Sequence, residues 1–84
     1  MSKGFIYIID DEYDVRFTLE NIFRFAGYTV KSFATASAAL EHNLSDRDSC
    51  IVLDLHMPEI GGLEFQELLK DRNIKIPIVI YTGK

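Results

Sequence analysis

Three observations predict an α/β fold built on a parallel sheet. Apolar runs at Phe5-Ile6-Tyr7-Ile8-Ile9, Cys50-Ile51-Val52-Leu53 and Ile76-Pro77-Ile78-Val79-Ile80-Tyr81 show little polar alternation, as strands buried on both faces do. Amphipathic stretches separate them, so the pattern is β-α-β-α-β-α-β. Each run also ends in polar residues: Asp10-Asp11, Asp54 and Thr82-Gly83. In an open parallel sheet the ligand crevice lies beyond the carboxyl ends of the strands, which is where these groups should meet.

The first strand is Phe5 to Ile9. Asp14 to Ala26 follows as a helix, with Val15, Leu19, Ile22, Phe23 and Ala26 at helical spacing and Arg16, Glu20 and Arg24 as an outer charged row. Gly27 supplies a left-handed helix stop, and Tyr28 to Phe33 alternates like a partly exposed edge strand. Thr35 to Leu44 reads as a second helix with Ala36, Leu40 and Leu44 on one stripe, and the polar stretch from Asn43 to Asp48 returns the chain. The central strand runs from Cys50 to Asp54. Gly61-Gly62 turns into a third helix ending at Asp71-Arg72-Asn73, with Leu63, Leu68, Leu69 and Phe65 inward and Glu64, Glu67 and Asp71 outward. The last strand is Ile76 to Tyr81, where Pro77 is acceptable because it stands at the start. Right-handed crossovers and an edge-like second strand give the order 2-1-3-4, with the first helix on one face and the other two opposite.

Composition narrows the function classes. The chain has 84 residues, 48% of them hydrophobic, with six Phe and four Tyr, which suits one small globular domain and argues against disorder. No apolar run is long enough to cross a bilayer, so no membrane partner is expected. Met1-Ser2-Lys3-Gly4 leads straight into a strand without the features of a secretory signal, and a cytoplasmic location is expected. A net charge of −4, without a Lys or Arg cluster, argues against direct nucleic-acid contact by this segment. The single Cys50, inside a strand, is read as a small buried hydrophobe.

Asp10, Asp11 and Asp54 are expected to converge at the reversal of winding between the first and third strands. Carboxylates this close repel, so the site should raise a pKa or attract a cation. All-oxygen ligation with open positions suits Mg²⁺ and disfavours Zn²⁺. His56 has no Cys or second His to complete a zinc set, and its backbone carbonyl is the better metal ligand.

These residues resemble the receiver domain of two-component response regulators. The likeness is carried by Ile6-Tyr7-Ile8-Ile9-Asp10-Asp11-Glu12, by Val52-Leu53-Asp54-Leu55-His56-Met57-Pro58 with Gly62 after it, and by Ile78-Val79-Ile80-Tyr81-Thr82-Gly83. It implies a flavodoxin-like, receiver-type sheet. It also implies that Asp54 accepts a phosphoryl group from a sensor histidine kinase or a small acyl phosphate. Asp11, Asp54 and the His56 carbonyl would bind Mg²⁺ directly, and Asp10 through a water. Thr82 would donate its hydroxyl to a phosphoryl oxygen, with the Gly83 amide nearby.

A complete receiver continues through a further α-β-α segment, so residues 1–84 are expected to be its N-terminal two thirds. On this resemblance, Lys84 is expected to lie in the wrong loop to serve as the family's phosphoryl-contacting lysine, and neither that lysine nor the aromatic partner of the Thr switch is expected within residues 1–84. The last strand then becomes an exposed apolar edge through which self-association is expected. An alternative reading is therefore a phosphorylation-incompetent fragment acting as a dimerisation or interaction module. A phosphatase or phosphotransferase with an aspartyl nucleophile is disfavoured, because the position that should carry its second acid is His56.

Overall fold

The computed structural model describes residues 3–42, 44, 47–57 and 60–82. The elements follow the expected order: β1 (Phe5–Ile9), α1 (Tyr13–Phe25), β2 (Thr29–Phe33), α2 (Ala36–Glu41), β3 (Ser49–Asp54), α3 (Gly62–Asp71) and β4 (Ile78–Tyr81). The four strands form one parallel sheet in the order β2-β1-β3-β4. None of the helices among the described residues is long and apolar enough to cross a membrane.

Alternation along the strands splits the core between the two faces. Ile6, Ile8, Val30 and Val52 point to one side, where Leu19 and Phe23 of α1 pack on them. Tyr7, Ile9, Ile51 and Leu53 point to the other, against Ala36 and Ala39 of α2 and Phe65 and Leu69 of α3. The expected layering of one helix against two therefore holds.

Several local expectations differ. The Thr35 hydroxyl caps α2 by accepting the Ala38 amide at 3.0 Å, but His42 is already extended, so the helix stops at Glu41 and Leu44 packs on the core from outside it. In α3 the buried stripe is Gly62, Phe65 and Leu69, while Leu63 is 71% exposed. The reason is the approach of the helix start to the sheet: a Cβ on Gly62 would sit 3.5 Å from Ile80 and Leu55 side-chain atoms. The inward row thus begins on the glycine, and Leu63, about 100° further round, points outward. Similarly, α1 lies on β1 and β2, where a row through Leu19 and Phe23 suffices; Ile22 stays 55% exposed, and no α1 residue is fully buried. At the other end of the sheet, the Pro77 carbonyl accepts the Ile51 amide at 2.9 Å, yet the regular strand starts one residue later, because proline has no amide to return.

Candidate functional site

Register places the chemistry. The β1–β3 pairing ends at Ile9↔Leu53, so the next residues, Asp10 and Asp54, stand side by side beyond it. Asp54 is in turn paired with Tyr81 on β4. In a parallel sheet, partners across a pairing project to the same face, and the alternation that sends Ile8 and Val52 toward α1 sends Asp10, Asp54 and Tyr81 there as well. Three adjacent strand ends deliver two carboxylates and a phenol to one spot.

Both carboxylates are buried, each 1% exposed. Burying an ionised group is costly unless hydrogen bonds or charges compensate it. Asp10 is fully engaged: its Oδ1 accepts the Glu12 amide at 2.7 Å, and its Oδ2 accepts the Tyr81 hydroxyl. Its backbone is held too, the amide donating to the Phe33 carbonyl at 3.1 Å and the carbonyl accepting from the Arg16 guanidinium at 2.8 Å. Asp54 is half engaged. Its Oδ1 accepts the His56 amide at 3.1 Å, whereas its buried Oδ2 has no hydrogen-bond partner among the described residues.

Beside this pair the charge density rises further. Carboxylate oxygens of Asp10, Asp11 and Glu12 lie within 4.8 Å of one another, Asp11 and Glu12 being exposed. Asp54 stands next to that group rather than in it. The donor set is all oxygen, and together with the unpartnered Asp54 Oδ2 it fits a hard divalent cation such as Mg²⁺.

Among the expected site residues, Asp10 and Asp54 are thus brought together, Asp11 lies on the solvent side of Asp10, and the His56 amide sits on Asp54. Thr82 follows Tyr81 directly and is exposed. Gly83 and Lys84 lie outside the described residues. Two participants were not singled out from the sequence. Glu12 joins the acid group simply by following Asp10-Asp11. Tyr81 looks like the last residue of an apolar strand, and its role is legible only once the register sets it beside Asp54. Burial, followed by the hydrogen bond and charge of Asp10 and then the charges of Asp54 and Glu12, pushes the Tyr81 phenol well above its ordinary pKa, so at neutral pH it is a donor.

A cavity of about 350 Å³ lies at the opposite, amino-terminal end of the sheet, between Gln66, Lys70, Asn73 and Ile76, and takes no part in this arrangement.

Comparison with known proteins agrees with the geometry. The family model for the response regulator receiver domain matches residues 6–84. Nodulation protein W of Bradyrhizobium diazoefficiens is 37% identical over 82 residues, covering 98% of this chain and 36% of that protein. Response regulator protein TodT of Pseudomonas putida is 37% identical over 78 residues, covering 93% of this chain and 34% of that protein. The chain therefore spans about a third of the length of these relatives. Among solved structures, full-length FixJ from B. japonicum superposes with a TM-score of 0.91 at 36% identity, over 100% of this chain and 41% of that one. FixJ-N superposes with a TM-score of 0.85 at 34% identity, over 98% of this chain and 66% of that one.

Proposed function

Because the chain belongs to the response regulator receiver domain family, whose members are signalling domains of two-component systems, we propose that it accepts a phosphoryl group on Asp54 from a sensor histidine kinase, in a Mg²⁺-dependent reaction. The observation that carries this reading is the asymmetry of Asp54. The His56 amide holds Oδ1, which orients the carboxylate and leaves Oδ2 without a partner as the nucleophile. In the transfer, Oδ2 forms a bond to phosphorus as the bond from phosphorus to the donor nitrogen or acyl oxygen breaks, giving an acyl phosphate on Asp54.

Asp11, Asp54 and the backbone carbonyl of His56 would hold Mg²⁺, with Asp10 acting through a water, and the ion would supply the positive charge that lets an anionic carboxylate meet an anionic phosphoryl group. The protein's own groups do the rest. The Glu12 amide fixes the Asp10 carboxylate at the rim, and the Arg16 contact anchors the turn that carries it. Thr82, one residue past the strand partner of Asp54, offers a hydroxyl to the transferred group, and its movement would report modification to the rest of a longer regulator. Residues 1–84 act in this reading as one receiver segment. The net charge of −4 supports a segment that makes no direct contact with nucleic acid.

Incubation with radiolabelled acetyl phosphate tests the proposal. Label should appear on the wild-type chain with Mg²⁺, and vanish with a chelator or in Asp54→Ala. Label of equal intensity on Asp54→Ala would remove Asp54 from the role.

A second reading, a module that associates with its own kind, is supported by β4. Among the described residues it pairs only with β3, and its Val79 is 54% exposed. Apolar edge strands pair readily with other chains. Light scattering over a concentration series should show a mass that rises with concentration, and a constant monomer mass would exclude it.

A further inference from the structure

The phenol of Tyr81 starts on β4 and ends on Asp10 of β1, with β3 between them. Adjacent strands lie about 4.8 Å apart, so this reach crosses two strand spacings. The side chain in between is Asp54, the register partner of Tyr81 on the same face. The path from Tyr81 to Asp10 therefore crosses the strand that carries Asp54, whose Oδ2 is buried and unpartnered. Burial of that oxygen is at odds with its use as a nucleophile unless a neighbouring group moves, and the group that spans β3 here is held on Asp10 Oδ2 by the phenol hydrogen bond.

We propose that Tyr81 is a positioning residue that holds the acceptor site closed, its phenol anchored on Asp10 so that its ring covers Asp54, and that a divalent cation at the acid group releases it. The inference rests on the phosphoacceptor reading above. Its physical basis is competition. Asp10 Oδ1 accepts the Glu12 amide and Oδ2 accepts the phenol, and a cation drawing on this carboxylate polarises both oxygens, including the one on which the phenol donates. A cation lowers the electron density available to that donor and weakens the bond that keeps the ring in place. With the anchor gone, the ring is free to rotate away and expose Asp54 Oδ2. Tyr81 immediately precedes Thr82, so release also frees the segment that carries the switch hydroxyl.

The test is an NMR titration of the 84-residue chain with MgCl₂ alone, comparing wild type with Tyr81→Phe. Removing the hydroxyl removes the competitor, and a hydrogen bond to a charged group is strong enough for Tyr81→Phe to bind Mg²⁺ about fivefold more tightly. In the wild type, the Tyr81 ring-carbon resonances should move with the same Kd, from a hydrogen-bonded toward a free phenol. That second readout stands even if Tyr81→Phe folds poorly, and a purely structural phenol would not show it. Unchanged or weaker Mg²⁺ binding in Tyr81→Phe, or a phenol signal that stays fixed while Mg²⁺ binds, overturns the inference and leaves the phosphoacceptor reading standing. Failure of both proteins to bind Mg²⁺ overturns the two together.

Discussion

Asp54 and Tyr81 face one another across the β3–β4 pairing, yet the phenol bypasses the carboxylate beside it and donates to Asp10 on β1. Asp54 Oδ2 is consequently buried without a partner among the described residues, which is a cost to the fold held at the point where chemistry is proposed. Asp54→Asn removes the charge while an amide oxygen still accepts from His56. It should stabilise the chain by about 1–2 kcal/mol, because an unpartnered buried amide costs less than an unpartnered buried carboxylate. Urea denaturation checks this; a lower midpoint for Asp54→Asn would show that the carboxylate is already compensated.

Metal should have the complementary effect. A cation that binds only the folded chain stabilises it by about 1.4 kcal/mol at ten times its Kd, which for a domain of this size is several degrees in Tm. Asp11→Asn should lose most of the Mg²⁺-induced shift. Glu12→Gln should lose less, since the proposed ligand set uses Asp11. Calorimetric melts with and without Mg²⁺ give the order, and a larger loss from Glu12→Gln would move the site outward along the acid group.

Helix α3 offers a sharp contrast between neighbours. Phe65 is fully buried, and Phe65→Ala should cost about 3–5 kcal/mol, most of the stability a domain this small can have. Leu63→Ala, on the exposed side, should stay within about 0.5 kcal/mol of wild type. Urea midpoints for the pair decide whether the inward row starts on Gly62, as described, or on Leu63.

Before β1, Gly4 sits at φ +142°, and a Cβ there would lie 2.3 Å from the Asp48 carbonyl oxygen, which also accepts the Phe5 amide at 2.8 Å. Both the conformation and the space exclude a side chain. Gly4→Ala should destabilise by about 2 kcal/mol or more and loosen the start of β1 against β3. Hydrogen exchange at the Phe5 amide would show the loosening directly; unchanged protection would contradict it.

Strand order, the division of helices between faces and the position of Asp10 and Asp54 at the carboxyl edge were legible in the sequence, because buried parallel strands write themselves as apolar runs and their ends as polar breaks. Side-chain direction within helices was less legible. Leu63 and Ile22 are as apolar as their buried neighbours, and what turns them outward is the close approach of Gly62 to the sheet and the seat of α1 over β1 and β2. The Tyr81–Asp10 bond joins residues 71 positions apart and depends on register across three strands, information that no local pattern carries.

The account depends most on Asp54 as the atom donor to phosphorus. The direct measurement is intact-mass spectrometry after reaction with acetyl phosphate and Mg²⁺, followed by borohydride trapping and peptide mapping. One phosphoryl group on Asp54, absent from Asp54→Asn and from chelator-treated protein, is the predicted result. A wild-type mass that never changes, or a homoserine left by the reduction that maps to a position other than 54, would contradict it.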